Sequence, residues 1–284
     1  MPELPEVETI ARGVDARVRG DCIVQVWFGS HREPFKTPPR QQAKGLEGCV
    51  LLAVHRTGKH IVCELGPASS GRERTGKASA SPTAQWIVHL GMTGRLLVTT
   101  PEAPVAAHTH ARLSLSSGRE LRFVDPRRFG RLEFSDLGRN AAFVAPGAEP
   151  LTIELEEFAA LFRGRRLAIK AALLNQSLLA GVGNIYADES LFRAGIRPRR
   201  MAGRLTRAEL ERLRTALRQV LKDAIRLGGS SVSDYVDADG VRGFFQLEHC
   251  VYMRTGLPCR HCGTPIRRIL LAGRGTHYCP RCQT

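Results

Sequence analysis

Apolar residues recur at Val7, Ile10, Ala11, Val14 and Val18, one face of a 3.6-residue period, so the chain is expected to open with a helix. Pro5 at a first helical position, with Glu6 and Glu8 behind it, suits the proline and acidic preferences of a helix start. The period then changes. Runs at 22–27, 50–54 and 60–65 alternate apolar and polar residues between Gly and Pro turns and read as strands, as do 85–90 and 113–115. Residues 135–150, with Gly138, Pro146, Gly147 and Pro150, look like a domain connection. Helical periods follow at 153–162, after the basic stretch 163–166, and around 178–192. Thr206 and Glu209 form a capping box for a further helix. Leu210, Leu213, Leu217, Val220, Leu221 and Ala224 line its apolar face, and Gly228 and Gly229 end it.

Two stretches carry no period. Residues 66–84 hold almost nothing that could enter a core and are expected to form a flexible loop, with Arg72, Arg74 and Lys77 keeping it solvated. Residues 230–243 read as a loop of small residues.

The 284 residues are enough for two domains with cores, and 43% hydrophobic with 24% charged residues is ordinary for a soluble globular chain. The charge balance narrows the function. Lys and Arg number 42 against 27 Asp and Glu, a formal +15, which points to a polyanionic partner, with nucleic acid in the lead. A membrane surface is disfavoured, since there is neither an apolar run of about 18 residues nor a basic amphipathic helix with aromatic anchors. The acidic, proline-broken start is unlike a signal peptide, so a cytoplasmic location is expected.

Eight cysteines divide into two groups. Cys22, Cys49, Cys63 and Cys250 sit among Val, Ile or Leu and are expected to be buried thiols. Cys259-x2-Cys262 and Cys279-x2-Cys282, separated by 16 residues, have the spacing of a four-thiolate zinc site. Four thiolates close the coordination sphere, so one structural zinc is expected, with His261 and His277 as non-ligands.

The first eight residues, Met-Pro-Glu-Leu-Pro-Glu-Val-Glu, allow a different chemistry. A free α-amine has a pKa near ~8, so part of it is nucleophilic at neutral pH. Pro2 would carry that amine once Met1 is removed, and a secondary amine forms a permanently charged iminium with an aldehyde carbon, an electron sink. Glu3 lies beside it and Glu6 three residues on, either able to serve as general acid or base. A plain helix start accounts for Pro5 and the acids but leaves Pro2-Glu3 unexplained.

This opening resembles the bacterial formamidopyrimidine-DNA glycosylases, which excise oxidised purines and cleave the strand. Later motifs match the family in order: Arg-Thr-Gly-Lys at 56–59, Gly-Met at 91–92, Pro-Arg-Arg-Phe-Gly at 126–130, Gly-Val-Gly-Asn at 181–184 and the cysteine pairs. From its residues alone, each non-cysteine motif also fits an ordinary hairpin tip, gap-filling Met or helix–helix turn. The resemblance implies an α+β fold with an N-terminal β-sandwich domain and leading helix over 1–134, a linker over 135–150, a helix–two-turns–helix domain over 151–245 and a zinc-finger hairpin over 246–284. It implies a monomer acting on damaged double-stranded DNA held between the domains. It further implies Pro2 as nucleophile, Glu3 as acid, Glu6 as a supporting carboxylate, Lys59 beside the lesion and Arg274 at the final elimination. Met92, Arg127 and Phe129 would fill the gap left by an extruded base, while His108, Arg166, Lys170 and Asn184 would contact DNA. Two other readings stay open: the sister branch acting on oxidised pyrimidines, and a non-enzymatic zinc-ribbon DNA-binding protein.

Overall fold

The computed structural model describes residues 1–67, 81–231 and 236–284. Arg72, Arg74 and Lys77 of the expected flexible loop lie outside the described residues, as do 232–235 of the small-residue loop. The chain divides into two compact units, the first made of Met1–Pro2, Glu6–Val144 and Ser231–Gly243, the second of Glu3–Pro5, Ala145–Ser230 and Phe244–Thr284.

In the first unit, α1 (Leu4–Val18) buries Val7, Ile10, Ala11, Val14 and Val18, the face set by the sequence period. The strands are β1 (Ile23–Phe28), β2 (Cys49–Thr57), β3 (His60–Pro67), β4 (Ala84–His89), β5 (Arg95–Thr99), β6 (Thr109–Leu115), β7 (Glu120–Val124) and β8 (Arg131–Asp136). They form two antiparallel four-stranded sheets, β1-β6-β7-β5 and β2-β3-β4-β8, whose inner faces share one core with α1. The alternation that marked 60–65 places Ile61, Cys63 and Leu65 in that core. Trp86 on β4 is fully buried, and its indole N–H donates to Gln42 Oε1 at 3.1 Å. Gln42 belongs to α2 (Pro39–Leu46), a helix that the sequence period does not announce because only Gln42 and Leu46 are buried in it.

In the second unit, α3 (Leu155–Phe162), α4 (Ile169–Leu174), α5 (Asn184–Arg193) and α6 (Arg207–Arg226) surround a core that includes Phe158, Leu173, Tyr186, Leu191, Leu213 and Leu221. The capping box forms as the sequence predicts: Glu209 N donates to Thr206 Oγ1 at 3.3 Å and Thr206 N to Glu209 Oε2 at 2.8 Å. Gly228 and Gly229 follow α6 with φ of +74° and +83°, conformations that favour glycine. The hairpin of β9 (Arg267–Leu271) and β10 (Arg274–Tyr278) carries its own small core of Val251, Cys259, Ile266 and Cys279.

Two expectations need correction. Ser231–Gly243 joins the first unit instead of the helices, because Ala238 is buried in the sandwich core, its carbonyl accepts from Val98 N at 3.1 Å, and Asp239 pairs with Arg17. The boundary between Val144 and Ala145 falls inside the expected connection 135–150, whose ends are ordered: β8 runs to Asp136, and Ala148 exchanges backbone hydrogen bonds with Leu178 and Ala180. Of the scattered cysteines only Cys63 is buried, with its thiol pushed up to about 12 by burial; Cys22, Cys49 and Cys250 are half-buried at element edges. Among the described residues, no helix is long and apolar enough to cross a membrane.

Candidate active site and nucleic-acid interface

In the first unit the expected residues sit on turns at strand ends. Thr57 pairs with His60, so β2 and β3 are joined by the two residues Gly58 and Lys59. Gly58 has φ of +61°, the conformation a tight hairpin requires at its first turn position. Lys59 is therefore fixed close to the sheet and is mostly buried. Arg56 braces the turn: its Nη1 donates to Gly58 O at 3.2 Å, and its Nε donates to Glu8 Oε2 on α1 at 2.8 Å. Nothing in the sequence pairs Glu8 of the helix start with Arg56 of the turn motif, since they lie 48 residues apart. Pro2 and Glu6 are buried at the start of the same unit.

Met92 follows Gly91 in the turn after β4 and is 41% exposed; Phe129 is 49% exposed in the turn between β7 and β8. Large apolar side chains held outside a core are available to a partner. The Arg127 guanidinium lies 4.9 Å from the Phe129 ring centroid, a cation–π pair on the surface. His108 is exposed with φ of +64°, and its carbonyl accepts from Asp125 N at 3.0 Å. Met92, His108, Arg127 and Phe129 are thus gathered around one buried residue, Asp125.

Behind these turns lie His60 and His89, paired across β3 and β4 with ring centroids 4.8 Å apart. Burial, then His89 and Lys36, push the His60 imidazole down to about 4. Burial, then Lys59 and Arg131, lower His89. His89 Nδ1 accepts from Gly91 N at 3.2 Å, which fixes the proton on its other nitrogen.

In the second unit the centre is the N-terminus of α5. Glu3 Oε1 accepts from Ile185 N at 3.2 Å and Oε2 from Tyr186 N at 3.5 Å, the favoured place for a carboxylate. Gly183 is required there because a Cβ would overlap the Glu3 carboxylate. Leu4 N donates to Gly181 O at 3.0 Å, so both glycines of the Gly-Val-Gly-Asn motif receive residues of the chain start.

Lys170 does not occupy the surface expected of a DNA contact. It has no exposed surface, pairs with the equally buried Asp188 at 2.7 Å, and donates to Gly275 O at 3.0 Å and Thr276 Oγ1 at 2.8 Å. Burial lowers its pKa, while Asp188 acts in the opposite sense. A phosphate reaching Lys170 would have to displace a buried carboxylate, so its task is to hold β10. Asn184 shares that task, donating from Nδ2 to Gly275 O at 3.0 Å, while its buried Oδ1 lacks a partner among the described residues. Arg166, ahead of α4, and Arg274 on β10 are exposed.

Two acids of α5 anchor the zinc hairpin. Asp188 Oδ2 accepts from His277 N at 2.8 Å. Glu189 accepts from Cys250 N, Val251 N and Tyr252 N at 2.8 to 2.9 Å, and its pKa is raised because burial outweighs those three donors. Nothing in the local sequence marks either acid as buried, since α5 also carries Asn184, Ser190 and Arg193. The four cysteine sulfurs lie within 4.8 Å of one another, Cys259 to Cys282 at 3.9 Å and Cys262 to Cys279 at 3.5 Å. Zinc–sulfur bonds of about 2.3 Å in a tetrahedron separate sulfurs by roughly 3.8 Å, so the cluster fits one structural zinc. His261 N and Cys282 N each point at a cysteine sulfur at 3.4 Å, and His277 is engaged by Asp188.

Residues 1–132 match the formamidopyrimidine-DNA glycosylase N-terminal domain, 145–236 its H2TH domain, and 256–284 the zinc finger found in FPG and IleRS. The formamidopyrimidine-DNA glycosylase of Solibacter usitatus is 43% identical over 284 residues, covering 100% of this chain and 99% of that protein. A Lactococcus lactis FPG mutant bound to DNA containing Fapy-dG superposes with a TM-score of 0.86 at 32% identity, with both chains fully covered. MutM (FPG) of Thermus thermophilus gives 0.82 at 42% identity, over 99% of this chain and 98% of that one. Sharing its three domains, its four-cysteine finger and this identity over its whole length, the chain belongs to the formamidopyrimidine-DNA glycosylase family.

Proposed function

We propose that this chain is a bifunctional DNA glycosylase and abasic-site lyase that removes oxidised purines, 8-oxoguanine and formamidopyrimidines, from duplex DNA. Glu3 carries the proposal: it follows Pro2 directly, and its carboxylate is seated on two backbone N–H groups at the start of α5. A carboxylate so fixed has one place from which to serve the neighbouring amine. A plain DNA-binding zinc ribbon has no use for either residue.

The lesion is first turned out of the stack, at a cost of a few kcal/mol, and Met92, Arg127 and Phe129 fill the gap. The Pro2 nitrogen, freed by loss of Met1, bonds to the sugar C1′ as the bond from C1′ to the base breaks; the proton that the amine loses passes to the departing base, and Glu3, in its protonated form, donates to the ring oxygen so that the sugar opens. The product is a Pro2 iminium. That cation acidifies the C2′ proton; its loss expels the 3′ phosphate, and a second elimination expels the 5′ phosphate, with Arg274 at the departing group. Lys59 assists beside the lesion, and Glu6 supports the terminus. Arg127, Arg166, Asn184 and Arg274 grip the phosphates, aided by His108, and set the salt-dependent affinity of a monomer. Lys170 acts through β10 instead of touching DNA.

Borohydride added during turnover tests this directly. It should reduce the iminium and leave a protein–DNA cross-link on Pro2, while a form that keeps Met1 should bind DNA yet neither trap nor cleave. Normal cleavage by the Met1-retaining form, or an adduct on Lys59, overturns the mechanism. Faster turnover of an oxidised-pyrimidine duplex than of an 8-oxoguanine duplex overturns the substrate assignment.

A further inference from the structure

Asp125 has no exposed surface, and a buried carboxylate needs several donors to offset its lost hydration. It takes them from two different turns. Its Oδ1 accepts from Thr93 Oγ1 at 2.6 Å and from Arg127 N at 3.3 Å, and its Oδ2 accepts from Gly130 N at 2.7 Å. Thr93 is the residue after Met92, whereas Arg127 and Gly130 bracket Phe129. The Thr93 hydroxyl works in both directions, since Oγ1 also accepts from Arg127 N at 3.3 Å. The backbone of Asp125 adds a third stretch, its N–H donating to His108 O at 3.0 Å and its carbonyl lying 3.0 Å from His110 Nε2.

Steric fit reinforces the hydrogen bonds. Gly91 has φ of +63°, and a Cβ there would stand 2.5 Å from both Gly130 N and Phe129 C, so the two turns meet backbone to backbone. Arg128, between Arg127 and Phe129, holds φ of +57°, which a non-glycine residue keeps only where its surroundings impose it. Surface turns bearing exposed apolar side chains would otherwise be ordered only on meeting DNA, and that ordering would be subtracted from the insertion step.

We infer that Thr93 and Asp125 are positioning residues that lock the Met92 turn to the Arg127–Phe129 turn, so that the three side chains enter the duplex as one preformed wedge. The inference rests on the proposal above that these side chains replace the extruded base. Thr93→Val keeps the shape and removes the hydroxyl, leaving Asp125 short of its nearest donor. Excision from an intact duplex should suffer, whereas a preformed abasic site has less stacking to disrupt.

The test is single-turnover kinetics on an 8-oxoguanine duplex and an abasic duplex for Thr93→Val, Thr93→Ser, Phe129→Ala and the Thr93→Val/Phe129→Ala double variant. Loss of a hydrogen bond to a buried charge predicts about tenfold slower excision for Thr93→Val, with abasic cleavage within about twofold of the parent. Thr93→Ser should restore the duplex rate, and the double variant should be no slower than Phe129→Ala alone, because a residue acting through Phe129 has nothing left to position. Additive losses, equal losses on both substrates, or an unaffected Thr93→Val beside a slowed Phe129→Ala would each overturn the clamp. An unaffected Phe129→Ala would instead overturn the wedge assignment on which the clamp depends.

Discussion

The two units hold their surface cations by opposite means. In the sandwich unit, Arg127 and its neighbours ride on turns fastened by a single carboxylate, Asp125, acting mostly on backbone N–H groups above a large apolar core. In the helical unit, Arg274 rides on a hairpin whose own core has only four buried residues, and α5 fastens it with the buried acids Asp188 and Glu189. A small module that cannot bury enough apolar surface needs metal and buried charge to keep its place. The sandwich, with its large apolar core, keeps its buried charge for its turns and needs no metal.

Removing zinc should break this contrast most completely. Structural zinc contributes about 10 kcal/mol or more to modules of this kind, so Cys262→Ser or chelation should unfold the hairpin and abolish tight DNA binding, while the sandwich melts as before. Metal analysis should give one zinc per chain; a fully DNA-competent Cys262→Ser variant would contradict the assignment. Next in size comes Lys170→Met, which leaves Asp188 charged and buried without its cation. Breaking such a pair costs about 3–5 kcal/mol, to be read by denaturant unfolding, and DNA affinity should fall with it. Retained stability would mean that Asp188 is adequately held by His277 alone.

Acid should expose the sandwich through its histidines. His60 sits at about 4 in the folded chain against an ordinary 6.5, so it contributes stability above about pH 6.5 that is lost as pH falls towards 4. The ring is only partly buried and faces His89 and Lys36, so the effect is discounted to on the order of 2 kcal/mol. Thermal melts between pH 7 and 4 should show it, and His60→Phe should flatten the profile; an unchanged profile would remove His60 from the account. The smallest effect expected is at the helix cap, where Thr206→Ala should cost about 1 kcal/mol in the helical unit and leave the sandwich unchanged.

What the sequence revealed and what it hid follow the same physical division. The α1 face, the α6 cap and the cysteine pairs were legible because their signals repeat within a turn of helix or a two-residue spacing. Asp125, Asp188, Glu189 and the Glu8–Arg56 brace were not, because each has meaning only through a partner brought close by the fold. Lys170 shows the cost of that limit: the family resemblance implies a DNA contact, whereas the fold buries the side chain against Asp188, 18 positions downstream. The Ser231–Gly243 segment is similar, since nothing local to Ala238 tells that it belongs in the sandwich core.

Both tryptophans of the chain, Trp27 and Trp86, fall in the sandwich unit. Trp86 is sealed in the core while Trp27 is 46% exposed, so the first should emit towards the blue and the second towards the red. Intrinsic fluorescence is therefore a private channel on one half of the molecule: a spectroscopist can watch the zinc hairpin come apart by circular dichroism while tryptophan emission stays dark to the event, and then see the sandwich unfold in two colours.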